Sequence, residues 1–198
     1  VMALASAVTI PLSHLYIRDY IGNSLGWDAA GYWQAIWYIS SMYLMVVTTA
    51  LSIYYLPRLS EIKDKVELKR ELLSGYKIIL PIISAVSLIV FFAKDFVIWL
   101  LFTDDFKPMR ELFLWQLVGD VIKIASWLLS YLMLAKAMTK VFIISEVLFS
   151  IIFVALSVLF LDEYGLIGVT YAFALNYLFY LVFMILLIKS YLTKRTKT

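Results

Sequence analysis

The stretch VFIISEVLFSIIFVALSVLFL, residues 141–161, carries a single ionisable side chain, Glu146, in a run otherwise built of aliphatic, aromatic and small hydroxyl residues. A helix rises about 1.5 Å per residue, so a run of this length crosses the roughly 30 Å of hydrocarbon in a bilayer. A second run follows at once over 166–188. Towards the N-terminus come further ones over 113–134, 78–102, 33–56 and 1–17. Together they predict an all-α, polytopic membrane protein with six transmembrane helices. Composition points the same way: 64% of the 198 residues are hydrophobic and 16% charged, against roughly 45–50% and about 25% in a soluble domain.

Polar residues punctuate these runs. The first contains Pro11 and stops at Arg18 and Asp19, and a Gly-rich connector, 22–31, leads to the second, which stops at Pro57 and Arg58. Over 58–71, Leu59, Ile62 and Val66 alternate with Lys and Glu, a pattern that fits either a short amphipathic helix at the membrane surface or a solvated loop helix. Lys94 and Asp95 interrupt the third span, and Asp120 and Lys123 interrupt the fourth. The chain opens at Val1 inside an apolar run, without an initiator Met or the basic region of a signal peptide, which is the expectation for a fragment whose upstream part is missing.

With six spans both ends lie on one side, and positive charge decides which. On one side fall Arg58, Lys63, Lys65, Lys69, Arg70, Lys77, Lys136, Lys140, Lys189, Lys194, Arg195 and Lys197, twelve basic residues in all. The other holds Arg18, Lys94, Lys107 and Arg110 among Asp19, Asp28, Asp95, Asp104, Asp105, Glu111, Asp162 and Glu163. The basic side, with the C-terminus, is therefore expected in the cytoplasm. Trp27, Trp33, Trp99, Tyr20 and Tyr164 fall near the outward ends, where amphipathic rings prefer the headgroup layer.

The same inventory excludes several chemistries. Cys is absent and His14 is the one histidine, which removes thiol catalysis, disulfides, iron–sulfur clusters and Cys/His metal sites; no cofactor or metal is expected. The basic residues sit at span edges, not in a stripe interleaved with exposed aromatics, so nucleic acid is not expected as a partner. No nucleotide-binding glycine loop, glycosidase carboxylate pair or nucleophile elbow is present. An enzyme is therefore not expected, and uphill work would draw on an ion gradient or on consumption of product on the far side.

Candidate site residues are those that a lipid-facing helix cannot tolerate, since a charge at mid-bilayer costs roughly 2.5–3.5 kcal/mol even on the lenient insertion scale. Asp120 and Lys123 stand three apart, a spacing that permits an ion pair along one helix face. Gln116, Gly119, Trp127 and Ser130 continue that face. The stripe either lines a transport cavity or locks its helix to a neighbour. Glu146 and Lys136, near the cytoplasmic ends of their spans, and His14, beyond the helix-bending Pro11, are further candidates for a cavity or a coupling relay, or are plain structural residues. Arg18–Asp19 and Lys94–Asp95 read as interfacial pairs, with Arg18 also placed to meet an anionic headgroup. Thr48, Thr49, Ser52 and Asn176 read as bonds to neighbouring helices.

Several stretches carry a resemblance: YLPRLS at 55–60, KDFVIWLL at 94–101, and MRELF at 109–113 running into WQLVGDVIK at 115–123, with Ala135 to Ala137 and Glu146-Val147 continuing it. They resemble the Wzx flippases of the multidrug/oligosaccharidyl-lipid/polysaccharide exporter superfamily, over essentially the whole chain to Val147 and more weakly beyond. The resemblance implies a twelve-helix, MATE-like transporter of two six-helix lobes, of which this chain is the C-terminal one. It implies carriage of undecaprenyl-diphosphate-linked oligosaccharide from the cytoplasmic to the periplasmic leaflet of the bacterial inner membrane, by alternating access, for enterobacterial common antigen or O-antigen. Asp120, Lys123 and Arg110, each inside a matching motif, become candidates for the cavity or its outer gate. Implied partners are that lipid-linked oligosaccharide, membrane lipids and the protein's own N-terminal lobe, with the polysaccharide polymerase and chain-length machinery as candidate neighbours. The residues leave open an ion-coupled multidrug/cation antiporter of the MATE type, a membrane-embedded glycan polymerase or acyltransferase, and a scaffold.

Overall fold

The computed structural model describes residues 2–193, and Val1, Lys194, Arg195 and Lys197 lie outside the described residues. Helices account for almost all of it: α1 (Met2–Leu25), α2 (Trp27–Ala50), α3 (Leu56–Glu61), α4 (Lys65–Phe92), α5 (Lys94–Leu101), α6 (Phe113–Ala135), α7 (Thr139–Tyr164) and α8 (Leu166–Thr193). One π-helical turn, Leu51–Tyr55, joins α2 to α3, and a 3₁₀ segment, Asp104–Leu112, joins α5 to α6. The chain is an all-α, multi-pass membrane protein, with no strand among the described residues. Among these residues, five helical stretches are long and apolar enough to cross a membrane, one fewer than the six spans expected. The exception is α1, where Ser6, Ser13, His14, Arg18 and Asp19 dilute the apolar content.

Two boundaries differ instructively from the expectation. The Gly-rich connector shrinks to a single residue: α1 runs through Arg18 to Leu25, Gly26 alone adopts a positive φ of 96°, and α2 starts at Trp27. That conformation is open to glycine at little cost and lets two long helices meet without a loop. The amphipathic segment read over 58–71 is divided. Its first part is α3 and its second is the opening of α4, started by Asp64, whose carboxylate accepts the Glu67 backbone N–H at 2.8 Å. An Asp with Glu three residues on is a helix-start signature.

The centre of the bundle is α6, buried on nearly every side and packed against α8, α4, α3 and α2. Apolar burial drives helices together weakly in lipid, where tails are as oily as leucine, so hydrogen bonds and close packing carry more of the association. Three of these neighbours, and the π turn, supply such a bond. Tyr43 of α2 bonds Asp120, Ser52 of the π turn bonds Tyr131 at 2.8 Å, the Tyr76 hydroxyl of α4 donates to the Ala125 carbonyl, and Tyr180 of α8 donates to Ser130 at 3.2 Å. On the far side Ser13 of α1 bonds Ser150 of α7.

The outer face is apolar, with Ile78, Ile82, Leu88 and Ile89 of α4 all more than half exposed, as a lipid-facing helix requires. Trp27, Trp99 and Tyr164 are exposed, but Trp33, expected beside them, is buried in a cluster with Ile17, Ile21 and Phe153, with the His14 ring stacked at 5.2 Å. The ion pairs also regroup: Asp95 takes Arg110 at 2.8 Å, freeing Lys94 to sit 4.0 Å over the Phe91 ring, and Asp19 accepts from Asn23 instead of meeting Arg18. Ser52 bonds a neighbouring helix as expected of it. The Thr48 hydroxyl turns back on its own helix, and the Asn176 side-chain oxygen is buried without a partner.

The turn at Gly165 folds α8 back so closely that a Cβ at Gly168 would stand 1.9 Å from the Phe160 carbonyl oxygen, whereas one at Gly31 would meet nothing within 4 Å. Gly168→Ala is therefore expected to destabilise the purified protein by about 1–3 kcal/mol through overpacking. Gly31→Ala is expected to leave it unchanged or slightly firmer, since alanine is the better helix former by about 1 kcal/mol. Thermal midpoints in detergent measure both.

Candidate functional site

Helices α1, α2, α6, α7 and α8 surround a cavity of about 540 Å³. Its size falls in the range of small-molecule sites, roughly 300–1,000 Å³, and like them it combines a mainly apolar wall with a few polar groups. From α6 come Lys123, Trp127 and Ser130; from α1, Ser6, Ser13 and His14; from α7, Glu146 and Ser150; from α2, Trp37; and from α8, Phe173, Asn176 and Tyr177. Three of the ionisable residues singled out in the sequence, His14, Lys123 and Glu146, thus face one space from three helices.

The ammonium of Lys123 lies 4.8 Å from the centre of the Trp127 ring, 5.5 Å from that of Tyr177 and 5.7 Å from that of Phe173. Its charge rests on the negative faces of aromatic rings, an attraction of about 0.5–2 kcal/mol according to how far water is excluded. Among the described residues no carboxylate oxygen approaches Lys123 within 4.0 Å. Rings hold the cation in position without neutralising it.

Opposite, Glu146 accepts a hydrogen bond from Ser6 at 3.1 Å. His14 is clamped between rings, 5.2 Å from Trp33, 4.5 Å from Trp37 and 6.0 Å from Phe153, and its Nδ1 is buried without a hydrogen-bond partner. One wall of the cavity is therefore cationic and aromatic, and the other offers a carboxylate and the hydroxyls of Ser6, Ser13 and Ser150.

The stripe read along α6 divides. Three residues of a helix turn through about 300°, which leaves Asp120 and Lys123 some 60° apart around the axis. Because α6 is enclosed on nearly every side, that offset separates two environments. Asp120 is fully buried behind the cavity wall, where its Oδ2 accepts from the Tyr43 hydroxyl at 2.6 Å and its Oδ1 lies 3.5 Å from the Gln116 amide nitrogen. Neither Asp120 nor Gln116 lines the cavity, and the i,i+3 spacing does not produce an ion pair within 4.0 Å. Three other candidates stand elsewhere. Arg110 is exposed and paired with Asp95, Arg18 is exposed on α1, and Lys136 donates to the carbonyls of Ile62 at 2.6 Å and Ser60 at 3.4 Å.

Sequence reasoning missed Tyr43, Trp37, Tyr177 and the Ser6–Glu146 bond. A lysine followed four residues later by tryptophan does signal the ring over Lys123, but Tyr43 and Tyr177 reach α6 from other helices and leave no local mark.

These features identify two environments for one reagent. The chain contains no cysteine, so single cysteines report without background from it. Lys123→Cys is expected to react with a water-soluble maleimide in intact membranes and Asp120→Cys to stay unreactive until the protein is denatured; equal labelling of the two would contradict the division of the stripe.

No family model matches the chain, and no solved structure matches it. Among curated proteins it is 36% identical over 179 residues to the lipid III flippase of Escherichia coli (strain K12), and to that of Shigella flexneri with the same figures. The match takes in 90% of this chain and 43% of each relative, so the chain spans less than half the length of the curated relatives it matches. The resemblance to the Wzx-type flippases carried by the sequence motifs thus extends over nine-tenths of the chain, which corresponds to about half of such a larger protein.

Proposed function

We propose that this chain is the C-terminal six-helix lobe of a flippase that moves undecaprenyl-diphosphate-linked oligosaccharide from the cytoplasmic to the periplasmic leaflet of the inner membrane. The work is translocation by alternating access against an N-terminal lobe, not covalent catalysis, and it serves a surface polysaccharide such as enterobacterial common antigen or O-antigen. The observation that carries the reading is Lys123, a cation inside the bundle with aromatic rings around it and no carboxylate within 4.0 Å. Asp120 and Glu146 act on this charge only from beyond contact distance, and a buried charge with no counter-ion in contact is expensive. A ligand that brings phosphate supplies the missing counter-charge through charge-assisted hydrogen bonds. The hydroxyl and carboxylate wall opposite suits a glycan, whose many O–H groups need acceptors and donors once stripped of water. The names of the relatives, lipid III flippases, point to the same class of cargo.

A second reading, an ion-coupled multidrug/cation antiporter, draws on Glu146 beside aromatic walls, a combination that also suits an organic cation. Lys123 in the same cavity repels such a ligand, and Asp120, the other acidic candidate, lies behind the wall.

The test is deletion of the full-length gene in its host, with the leaflet location of the lipid-linked oligosaccharide and the amount of surface glycan as readouts. Cytoplasmic-side accumulation and loss of glycan, rescued by the wild-type gene, are the expected results. Lys123→Ala, at normal abundance, is expected to lower glycan export at least about tenfold, the consequence of losing roughly 1.4 kcal/mol or more of charged hydrogen bonding, while Lys123→Arg retains most of it. Unchanged lipid intermediates together with a drug-sensitivity phenotype would favour the antiporter. The cytoplasmic placement of the C-terminus is checked separately: a C-terminal fluorescent-protein fusion is expected to glow and an alkaline-phosphatase fusion to be inactive.

A further inference from the structure

A different surface, which shares no residue with the cavity, carries positive charge without a carboxylate in contact. Val66, Lys69, Arg70, Leu73, Ser74 and Lys77 line a shallow groove of about 420 Å³ on the opening turns of α4. Their spacings of three and four residues place them on one helix face. All six are exposed, Val66 by 70% and Leu73 by 53%, while Leu68, Leu72 and Gly75 fill the buried face. The acidic residues of these turns point away: Glu67 and Glu71 are held by Arg58 of α3 at 3.2 and 3.6 Å. Among the described residues no carboxylate lies within 4.0 Å of Lys69, Arg70 or Lys77. Immediately beyond, the exposed side of the same helix turns apolar, at Ile78, Ile82, Leu88 and Ile89. The stripe therefore sits where a lipid-facing span leaves hydrocarbon.

We propose that this stripe binds the headgroup of an anionic phospholipid. The phosphate oxygens are taken by Lys69, Arg70 and Lys77, with the planar fork of Arg70 offering two parallel N–H bonds. Val66 and Leu73 meet the first carbons of the acyl chains, and the lysine stems lie along them with their amines at headgroup level. Arg58 has a part in the selectivity: by holding Glu67 and Glu71 on the α3 side it removes the carboxylates that would repel the phosphate. A purely zwitterionic headgroup lacks the net charge that three unpaired cations attract, so the site discriminates by charge. The proposal does not depend on the flippase reading.

The experiment uses the full-length protein reconstituted in vesicles of phosphatidylcholine with phosphatidylglycerol, then extracted and weighed by native mass spectrometry. Wild type is expected to retain phosphatidylglycerol in preference to phosphatidylcholine by about tenfold, as electrostatic attraction of clustered Lys and Arg to anionic lipid implies. K69Q/R70Q/K77Q is expected to lose that preference, and K63Q/K140Q, which removes equally basic residues outside the groove, to keep it. Equal retention of both lipids by wild type, or undiminished preference in the triple variant, overturns the proposal. If the triple variant does not fold, wild type is irradiated with a photoactivatable phosphatidylglycerol. Crosslinks within residues 66–77 then support the site. Crosslinks confined to other segments, or protection of the groove by another part of the longer protein, overturn it.

Discussion

An ionisable residue in a membrane-spanning helix must find its polar partners inside the protein, and α6 brings two such residues, Asp120 and Lys123, into the middle of the bundle. The arrangement around α6 follows from that need. The Tyr43 hydroxyl meets the carboxylate on one side; the rings of Trp127, Phe173 and Tyr177 meet the ammonium on the other. Ser52, Tyr76 and Tyr180 add further bonds from the π turn, α4 and α8, so α2, α4 and α8 are each tied to α6 by a polar contact. Bonds of this kind average about 0.6 kcal/mol in a membrane protein. Singly they are weak, but in a solvent that does not drive apolar surfaces together they fix which helix stands where.

The two sides of α6 thereby acquire different roles. Asp120, enclosed and hydrogen-bonded, joins α6 to α2 and holds the wall in register. Lys123, in contact with rings and not with a carboxylate, keeps its charge directed into the cavity. Aromatic faces suit that purpose better than a carboxylate, because they stabilise a cation while leaving it able to attract an anion. The wall built by α1 and α7 differs in kind, with the Ser6–Glu146 bond and the Ser13 and Ser150 hydroxyls presenting both donors and acceptors. A cavity with a phosphate-seeking side and a hydroxyl-seeking side matches an amphiphile whose polar head itself has two parts.

The class of the fold was legible because length and oiliness are local properties: the apolar runs over 113–134, 141–161 and 166–188 reappear as α6, α7 and α8 within a few residues. What the sequence concealed depends on contacts between distant segments. A lone positive φ at Gly26 erases what composition presents as a loop. Trp33 reads as an interfacial ring until His14 is found stacked on it, and Lys94–Asp95 reads as a pair until Arg110 arrives from the 3₁₀ segment. The site shows the same limit. The sequence marked Asp120 and Lys123 as residues that need protein or water around them, but a helix buried on nearly every side has no single inner face. Only its neighbours decide that one charge is sealed in and the other faces a cavity.

The contact of Lys136 with the carbonyls of Ser60 and Ile62 bears on how such a chain tolerates sequence drift. Every amino acid carries a backbone carbonyl, so the hydrogen bonds that anchor the link between α3 and α4 make no demand on side-chain identity there. Ser60, which is exposed, is accordingly free to vary, and Ile62 is restrained only by the apolar pocket that buries its side chain. The demand falls instead on position 136, where the donor must be long and cationic, and on the length of the link, since one inserted residue would carry both acceptors out of reach. Descendants of this sequence should therefore diverge at Ser60 and Lys63 while preserving the length of the link and Asp64, whose carboxylate starts α4.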